Sequence, residues 1–359
     1  MTAPPTLRHW PPLLQWLSLF CCAALAGSLL KHFEIPAGQF VGPMLVAIGF
    51  GVAGASIRIH RHAFRLGQGC VGLLVAHSMT MAVIMAVVQS WPVMLFATLL
   101  TVILSAAVGL GLVRYAGIPG STAAWGTAPG AASAMVAMAE DYGADSRVVA
   151  TMQYVRVVCV VMIGALVSRG LGVDSGGSDS HSAQLLWQSE QLISLGLSLV
   201  TIVVGVALGS RVPAGALLVP LLLGGGLQLS GLLQITLPGW LLAVAYGTIG
   251  CYIGLRFDRP TIAYVWKRLP AMIAASVLLI AMCALSAWLI AELLNKDFLS
   301  VYLATSPGGL DSMAIIAIDT HSDVGLVLAM QTLRLFGVIL TGAFFARLII
   351  RLSRGADTQ

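Results

Sequence analysis

The sequence predicts an all-α polytopic membrane protein made of two inverted repeats, each with five transmembrane helices and one re-entrant hairpin. Three observations predict it. The 359-residue chain is 58% hydrophobic and 9% charged, where a soluble globular chain carries about 25% charged residues. Apolar runs of about 20 residues, long enough to cross a bilayer, alternate with short charged loops. One stretch also occurs twice: Gly126–Arg156 and Ala304–Arg334 align without a gap at an offset of 178, with 11 of 31 positions identical.

The elements follow in order. The first span is Leu13–Leu30, and it is retained because no small-residue cleavage site follows it. A KHFE loop leads to a second span, opened by Ile35-Pro36-Ala37-Gly38 and running to Ser56. The loop RIHRHAFR, with Arg58, Arg61 and Arg65, precedes a third span, Leu66–Val88, which contains His77. A QSWP turn leads to the fourth span, Trp91–Leu112, closed by Arg114. A Gly/Pro-broken segment occupies Ile118–Asp141, and Ser146–Ser168 ends the half. Trp16, Trp91 and Trp240 stand at membrane edges as interface anchors.

The stretch LGVDSGGSDSHSAQ reads as a flexible linker. It divides the chain into a first membrane repeat (1–170), an extracytoplasmic linker (171–189) and a second membrane repeat (190–359). The second half echoes the first beyond the long match. Val212-Pro213-Ala214-Gly215 repeats Ile35-Pro36-Ala37-Gly38, Pro220 repeats Pro43, and Gly247 and Gly250 repeat Gly69 and Gly72.

Charge decides the relative orientation of the halves. In the first, the loop between spans two and three is basic and the next is neutral. In the second, Ser230–Gln234 is neutral and the following RFDRPTIAYVWKR carries Arg256, Arg259, Lys267 and Arg268. Positive loops belong inside. Both basic loops are inside only if each half crosses an odd number of times, so each broken segment counts as a re-entrant hairpin and each half as five spans. Arg8, Arg211 and the Arg347/Arg351/Arg354 tail then share the inner side, and both termini are cytoplasmic.

The same features exclude other classes. The net charge of +5 resides in short loops, where cytoplasmic retention explains it without a nucleic-acid partner. The six cysteines fall inside apolar segments without metal-site spacing, which reads as buried, reduced and structural. His60-x-His62 has no Cys or acidic partner nearby, so no metal is assigned. There is no G-x-x-x-x-G-K-[ST] run and no soluble catalytic domain. The expectation is a non-enzyme without a cofactor, whose partners are the lipid bilayer and a small-molecule solute; homo-oligomer formation stays open.

The candidate site lies in the repeated stretch. Proline lacks a donor N–H and disfavours helix at the residue before it, so the chain breaks near Thr127–Pro129–Gly130 and again near Thr305–Ser306–Pro307–Gly308. Gly130 to Asp141 would span about 18 Å as helix, roughly half a bilayer. Gly/Pro-interrupted segments at matching positions of two repeats point to a transporter binding site, and the N-terminus of each returning half-helix favours an anionic group. Arg156 and Arg334 lie about 16 Å into their spans, with Gln153 and Gln331 three residues earlier on the same face. Asp311, whose counterpart is Ser133, is the acid best placed for proton or cation coupling, or for holding Arg156 or Arg334. Asp141, Asp145, Asp319 and Asp323 suit helix capping at the membrane surface. Glu140, His77 and His321 are weaker candidates.

Further motifs carry a family likeness. Pro36–Gly38, Gly42–Met44, the WGTAPG run Trp125–Gly130, the Met135–Asp145 stretch ending in DYGAD, and the MQYxR run Met152–Arg156 resemble the Gram-negative membrane family called AbrB, or AbrB duplication, across essentially the whole chain. The resemblance implies a multi-pass inner-membrane protein. Family names point to a regulator and to an ammonia monooxygenase. The chain lacks the β-strand DNA-binding domain that shares the AbrB name, and its seven histidines are mostly scattered rather than clustered as a copper site requires. The residues favour a secondary transporter or permease for a small polar or anionic solute, working by alternating access, with proton coupling as one option. A membrane-embedded regulator of gene expression that uses the same cavity as a sensor is the alternative, and a monooxygenase comes last.

Overall fold

The computed structural model describes residues 7, 10–33, 35, 37–78, 85, 91–130, 132–171, 189–211, 215–257 and 259–338. Pro36, Arg8, Pro213-Ala214, the linker residues 172–188 and the basic tail after 338 therefore lie outside the described residues. So do the side chains of Ser133, Glu140 and Asp141.

The architecture is helical. In the first half the helices are α1 (Pro12–His32), α2 (Gly38–Val52), α3 (Arg61–Ser78), α4 (Trp91–Ala116), α5 (Gly120–Thr127), α6 (Ala132–Asp141) and α7 (Ser146–Gly170). The second half has α8 (Ser189–Leu208), α9 (Gly215–Leu229), α10 (Gly239–Gly254), α11 (Arg259–Val265), α12 (Leu269–Leu294), α13 (Phe298–Thr305) and α14 (Leu310–Asp319), followed by α15 (Val324–Val338). The repeat is visible in the boundaries: α12, α13 and α14 begin and end 178 residues after α4, α5 and α6.

Helices α1, α4, α7 and α12 are long and apolar enough to cross a bilayer, and α10 with α11 would add a fifth if the pair counts as one broken span. The protein is a polytopic membrane protein of the all-α class. Rows of large apolar side chains stand exposed on these helices, including Leu95, Phe96, Leu99 and Ile103 on α4 and Leu285, Trp288 and Leu289 on α12. Hydrocarbon is the solvent that tolerates such faces. Other expected spans are shorter than anticipated. α2 and α9 have 15 residues each, about 22 Å, against a hydrocarbon core of about 30 Å. Each carries an internal proline, Pro43 and Pro220. The third span is described only to Ser78. The cysteines also depart from expectation: all six are free, but Cys21 and Cys22 are exposed and Cys159 is half-buried, because they lie on outward faces of apolar helices.

The chain folds into two compact units, each drawing on both sequence halves. The first comprises Met1–Met85, Ala165–Arg259 and Ala314–Gly325; the second comprises Ala86–Gly164, Pro260–Met313 and Leu326–Gln359. In the first unit, helices of one half pack on helices of the other. A Cβ on Gly250 of α10 would lie 2.5 Å from the Phe40 carbonyl oxygen of α2, so only glycine allows this approach. The repeat-related contact sets Gly72 of α3 against the Leu217 carbonyl of α9. Phe64, in the first turn of α3, stacks on Tyr252 in the last turn of α10, with centroids 4.0 Å apart. Gly67 faces Ala245 and Ile249 further back along α10. The equivalent helices α3 and α10 thus run antiparallel. Arg256 lies over the Tyr252 ring at 4.6 Å, and Arg65 donates to the Ser210 carbonyl at 3.3 Å. Basic segments of both halves therefore share one end of this unit. Fully buried Gln15 on α1 ties that end together: its Nε2 donates to the Leu7 and Trp10 carbonyls, and its Oε1 accepts the Ser56 N–H, each at 3.0 Å.

The second unit holds the first broken segment whole and the second as far as Met313. Trp125 of α5 is completely buried with Val102, Met135, Ala139, Val149 and Val338. A second cluster joins Ile118, Ala123, Val148 and Met152 to Val265 and Met272.

Candidate functional site

Both breaks form by one mechanism. The residue before each proline is extended: Ala128 has ψ 127° and Ser306 has ψ 137°. The proline ring crowds the preceding backbone and expels it from the helical region. α5 and α13 therefore stop, leaving carbonyls at their C-terminal ends without helical partners.

A Gln/Arg pair from the next long helix takes up those carbonyls. On α7, Gln153 Nε2 donates to Trp125 O at 2.8 Å and Ala128 O at 3.1 Å. Arg156 Nη1 donates to Thr127 O at 3.1 Å and Ala128 O at 2.8 Å. Its Nη2 donates to Gln153 Oε1 at 2.7 Å. On α15 the arrangement recurs. Gln331 Nε2 donates to Leu303 O at 2.8 Å and Ser306 O at 3.1 Å, and Arg334 donates to Ser306 O, to Gly308 O and to Gln331 Oε1. A guanidinium suits this place because its planar fork serves several acceptors at once and a cation complements the negative end of a helix. All four side chains are buried. The Nη groups are engaged by backbone, and each guanidinium keeps one buried donor, Nε of Arg156 and Nε of Arg334, without a hydrogen-bond partner among the described residues.

In the first copy, the exit from the broken segment returns beside its entrance. The Asp145 N–H donates to Thr122 Oγ1, in the first turn of α5, at 3.2 Å. Tyr142, just past α6, packs its ring on Trp125 at 5.3 Å. α5 and α6 are thus the two arms of a hairpin. Asp145 Oδ1 then accepts the N–H groups of Arg147 and Val148 at the start of α7, at 3.1 and 3.2 Å. Its Oδ2 accepts the Tyr264 hydroxyl at 2.7 Å.

The remaining candidates fall as follows. Thr127 and Thr305 turn their hydroxyls back onto Ala123 O and Val301 O of their own helices, each at 2.9 Å. Pro129 and Pro307 are buried. Gly130 and Gly308 lie under Met135 and Met313, whose side chains would have to shift to admit a Cβ. Asp311 sits half-buried in the first turn of α14. Ser133 and Asp141 have side chains outside the described residues. Asp323 immediately precedes α15, as Asp145 precedes α7. Asp319 accepts the backbone N–H of Ala37, at the start of α2. His321 follows α14 with φ +51° and is exposed, as is His77. His60 and His62 stack on each other at 5.0 Å. Among the described residues, no three His, Cys, Asp or Glu side chains come together as metal ligands would.

Both clamps belong to the second unit. The Arg156 and Arg334 guanidiniums lie within electrostatic reach of each other, and both within reach of the buried Cys283 thiol. Cys283 of α12 is the 178-residue counterpart of Ser105 of α4, whose buried Oγ has no hydrogen-bond partner among the described residues. The Trp125 indole N–H is in the same condition. Neither Cys283 nor Ser105 was singled out from sequence, because a small residue in an apolar run carries no mark of facing a charge. Asp297, which caps α13 by accepting the Ser300 N–H at 2.8 Å, was also passed over; an Asp just before an apolar helix was the available signal. An apolar groove of about 890 Å³ runs along α12 from Trp266 to Ala281 and includes none of these residues.

Comparison with known proteins agrees on one family. Residues 40–350 match the family model described as "Transition state regulatory protein AbrB". The chain is 41% identical to "Putative regulator AbrB" of Escherichia coli (strain K12) over 340 residues, covering 94% of this chain and 97% of the relative. It is 26% identical to "Uncharacterized protein YhjN" of Bacillus subtilis (strain 168) over 359 residues, covering 94% of each. With helices fit for a bilayer and a family match across most of its length, this chain belongs to the AbrB family.

Proposed function

We propose that this protein is a secondary transporter for a small polar or anionic solute, working by alternating access with the solute bound at the two hairpin tips. The reading gives it ten spans, with α2, α8, α9 and α15 counted as short crossings. It makes the repeats inverted and puts both termini on the cytoplasmic side of the inner membrane, with the bilayer and the solute as partners and no catalytic step. The antiparallel course of α3 and α10, and the basic segments at one end of the first unit, support the inversion.

One observation carries the proposal. Two proline-broken segments at matching repeat positions are held by the same Gln/Arg clamp on their backbone carbonyls. Irregular backbone at membrane depth is stable only when protein or a watery cavity satisfies it, and transporter sites are built from such breaks. The Nη groups hold the tips, so the arginines act first as positioning residues. Polar atoms of a solute would be met by the remaining buried Nε donors and by the N-terminal ends of α6 and α14. Asp311, in the first turn of α14, is the residue placed for a coupled proton or cation.

Uptake of radiolabelled small anions and amines into proteoliposomes tests this. Wild-type flux that falls at least tenfold in Asp311→Asn, with folding intact, is the expected result. The relatives' regulator names favour a second reading, in which the same tips sense a solute without moving it. Binding at the tips without flux across the panel would sink the transporter and leave the sensor.

A further inference from the structure

Asp319 ends the second hairpin, and its carboxylate does not cap the helix that follows. Its Oδ2 accepts the backbone N–H of Ala37, 282 residues away in sequence. Ala37 is the N-cap residue of α2, has φ +56° and ψ +26°, and receives no cap from a side chain of its own. Asp319 supplies that cap from another part of the chain. Two helix ends act on it in opposite senses. The positive N-terminus of α2 favours a negative charge, while the C-terminus of α14, on which Asp319 sits, disfavours one. The charged and titratable groups facing it are Lys31 at the end of α1, His321 two residues on, and Tyr246 on α10. All belong to the first unit.

We propose that Asp319 is a proton-binding site whose charge state decides whether the end of the second hairpin is latched to the start of α2. As a carboxylate it accepts the Ala37 N–H in a charge-assisted bond, roughly twice as strong as a neutral one. When it takes up one proton, the oxygen loses its charge, the bond to the Ala37 N–H falls to the weaker neutral kind, and the last turn of α14 and the first turn of α2 loosen together. Burial raises the Asp319 carboxyl above the usual carboxylate range, against the opposing pull of the Ala37 N–H, Lys31 and His321, so burial shifts its protonation toward milder pH. The latch stands on its own geometry and holds whether or not a solute crosses the membrane.

Hydrogen exchange of the full-length protein in nanodiscs, without solute and corrected for intrinsic exchange, reads this directly. Between pH 8 and pH 5, peptides covering Ala37–Val41 and Ile316–Thr320 in wild type are expected to lose about tenfold in protection. Asp319→Asn keeps an acceptor oxygen and cannot take up a proton, so its protection should not change with pH. Asp319→Leu should be flat and least protected throughout. His321→Gln should keep the wild-type slope. A flat wild-type profile, or a slope that survives in Asp319→Asn, overturns the proposal. A slope that vanishes in His321→Gln moves the proton to the histidine and overturns it equally.

Discussion

Phe64 and Tyr252 stack at 4.0 Å, joining the start of α3 to the end of α10. Those helices are copies of one another at an offset of 178, so the contact sets two equivalent elements head to tail. It also gathers Arg65 and Arg256 at one end of the first unit, the pattern expected if basic loops of both halves remain inside.

The first prediction is topological. In a cysteine-free background, Arg61→Cys and Arg259→Cys should react with an impermeant maleimide only from the cytoplasmic side. Leu232→Cys, exposed in the neutral loop after α9, should react only from the other. Labelling of Arg61→Cys and Arg259→Cys from opposite faces would dismiss the inverted repeat.

The clamps should behave as hydrogen-bonded units more than as charges. Arg334→Lys keeps the charge but loses the fork, leaving some of the acceptors Ser306 O, Gly308 O and Gln331 Oε1 unpaired. A loss of about 2–3 kcal/mol in unfolding free energy is expected. Adding Gln331→Leu should cost less than the sum of the two changes, since both serve Ser306 O. Full additivity in thermal or denaturant unfolding would contradict the shared role.

Gly250→Ala should destabilise the first unit by about 1–3 kcal/mol, because its Cβ meets the Phe40 carbonyl, which is backbone and cannot move aside cheaply. Gly226 on α9 has nothing within 4 Å. There the same change should be neutral or stabilising by up to about 1 kcal/mol, from helix propensity alone. The two melting temperatures, measured side by side, check the packing; an equal effect at both sites refutes it.

Asp145→Ala should cost about 1 kcal/mol, as expected for the loss of an N-cap that serves two backbone N–H groups of α7. Asp145→Asn should recover most of it, because the amide oxygen still accepts. Denaturant midpoints of the three proteins distinguish this from a loss of charge, in which Asn and Ala would be alike.

Much of this protein is written locally. The duplication, the prolines that end α5 and α13, the acidic residue before α7 and the apolar runs all follow from residue type and spacing, because backbone sterics and helix ends act over a few residues. The Gln153/Arg156 and Gln331/Arg334 pairs were recognisable as polar faces at helical spacing. Their targets were not, since the carbonyls they bind belong to segments 25–29 residues away. Nor did sequence predict the span lengths: α2 and α9 stop at 15 residues, where apolar composition alone would have let them continue.

By itself, then, the sequence determined the helical class, the repeat and the position of both breaks. The tertiary structure decided that helices of one half pack on those of the other, that the arginines turn on backbone carbonyls, and that Asp319 reaches Ala37. The physical reason is range. Turns and helix ends are set by neighbours along the chain, whereas a buried donor or acceptor takes whichever partner folding brings within about 3 Å.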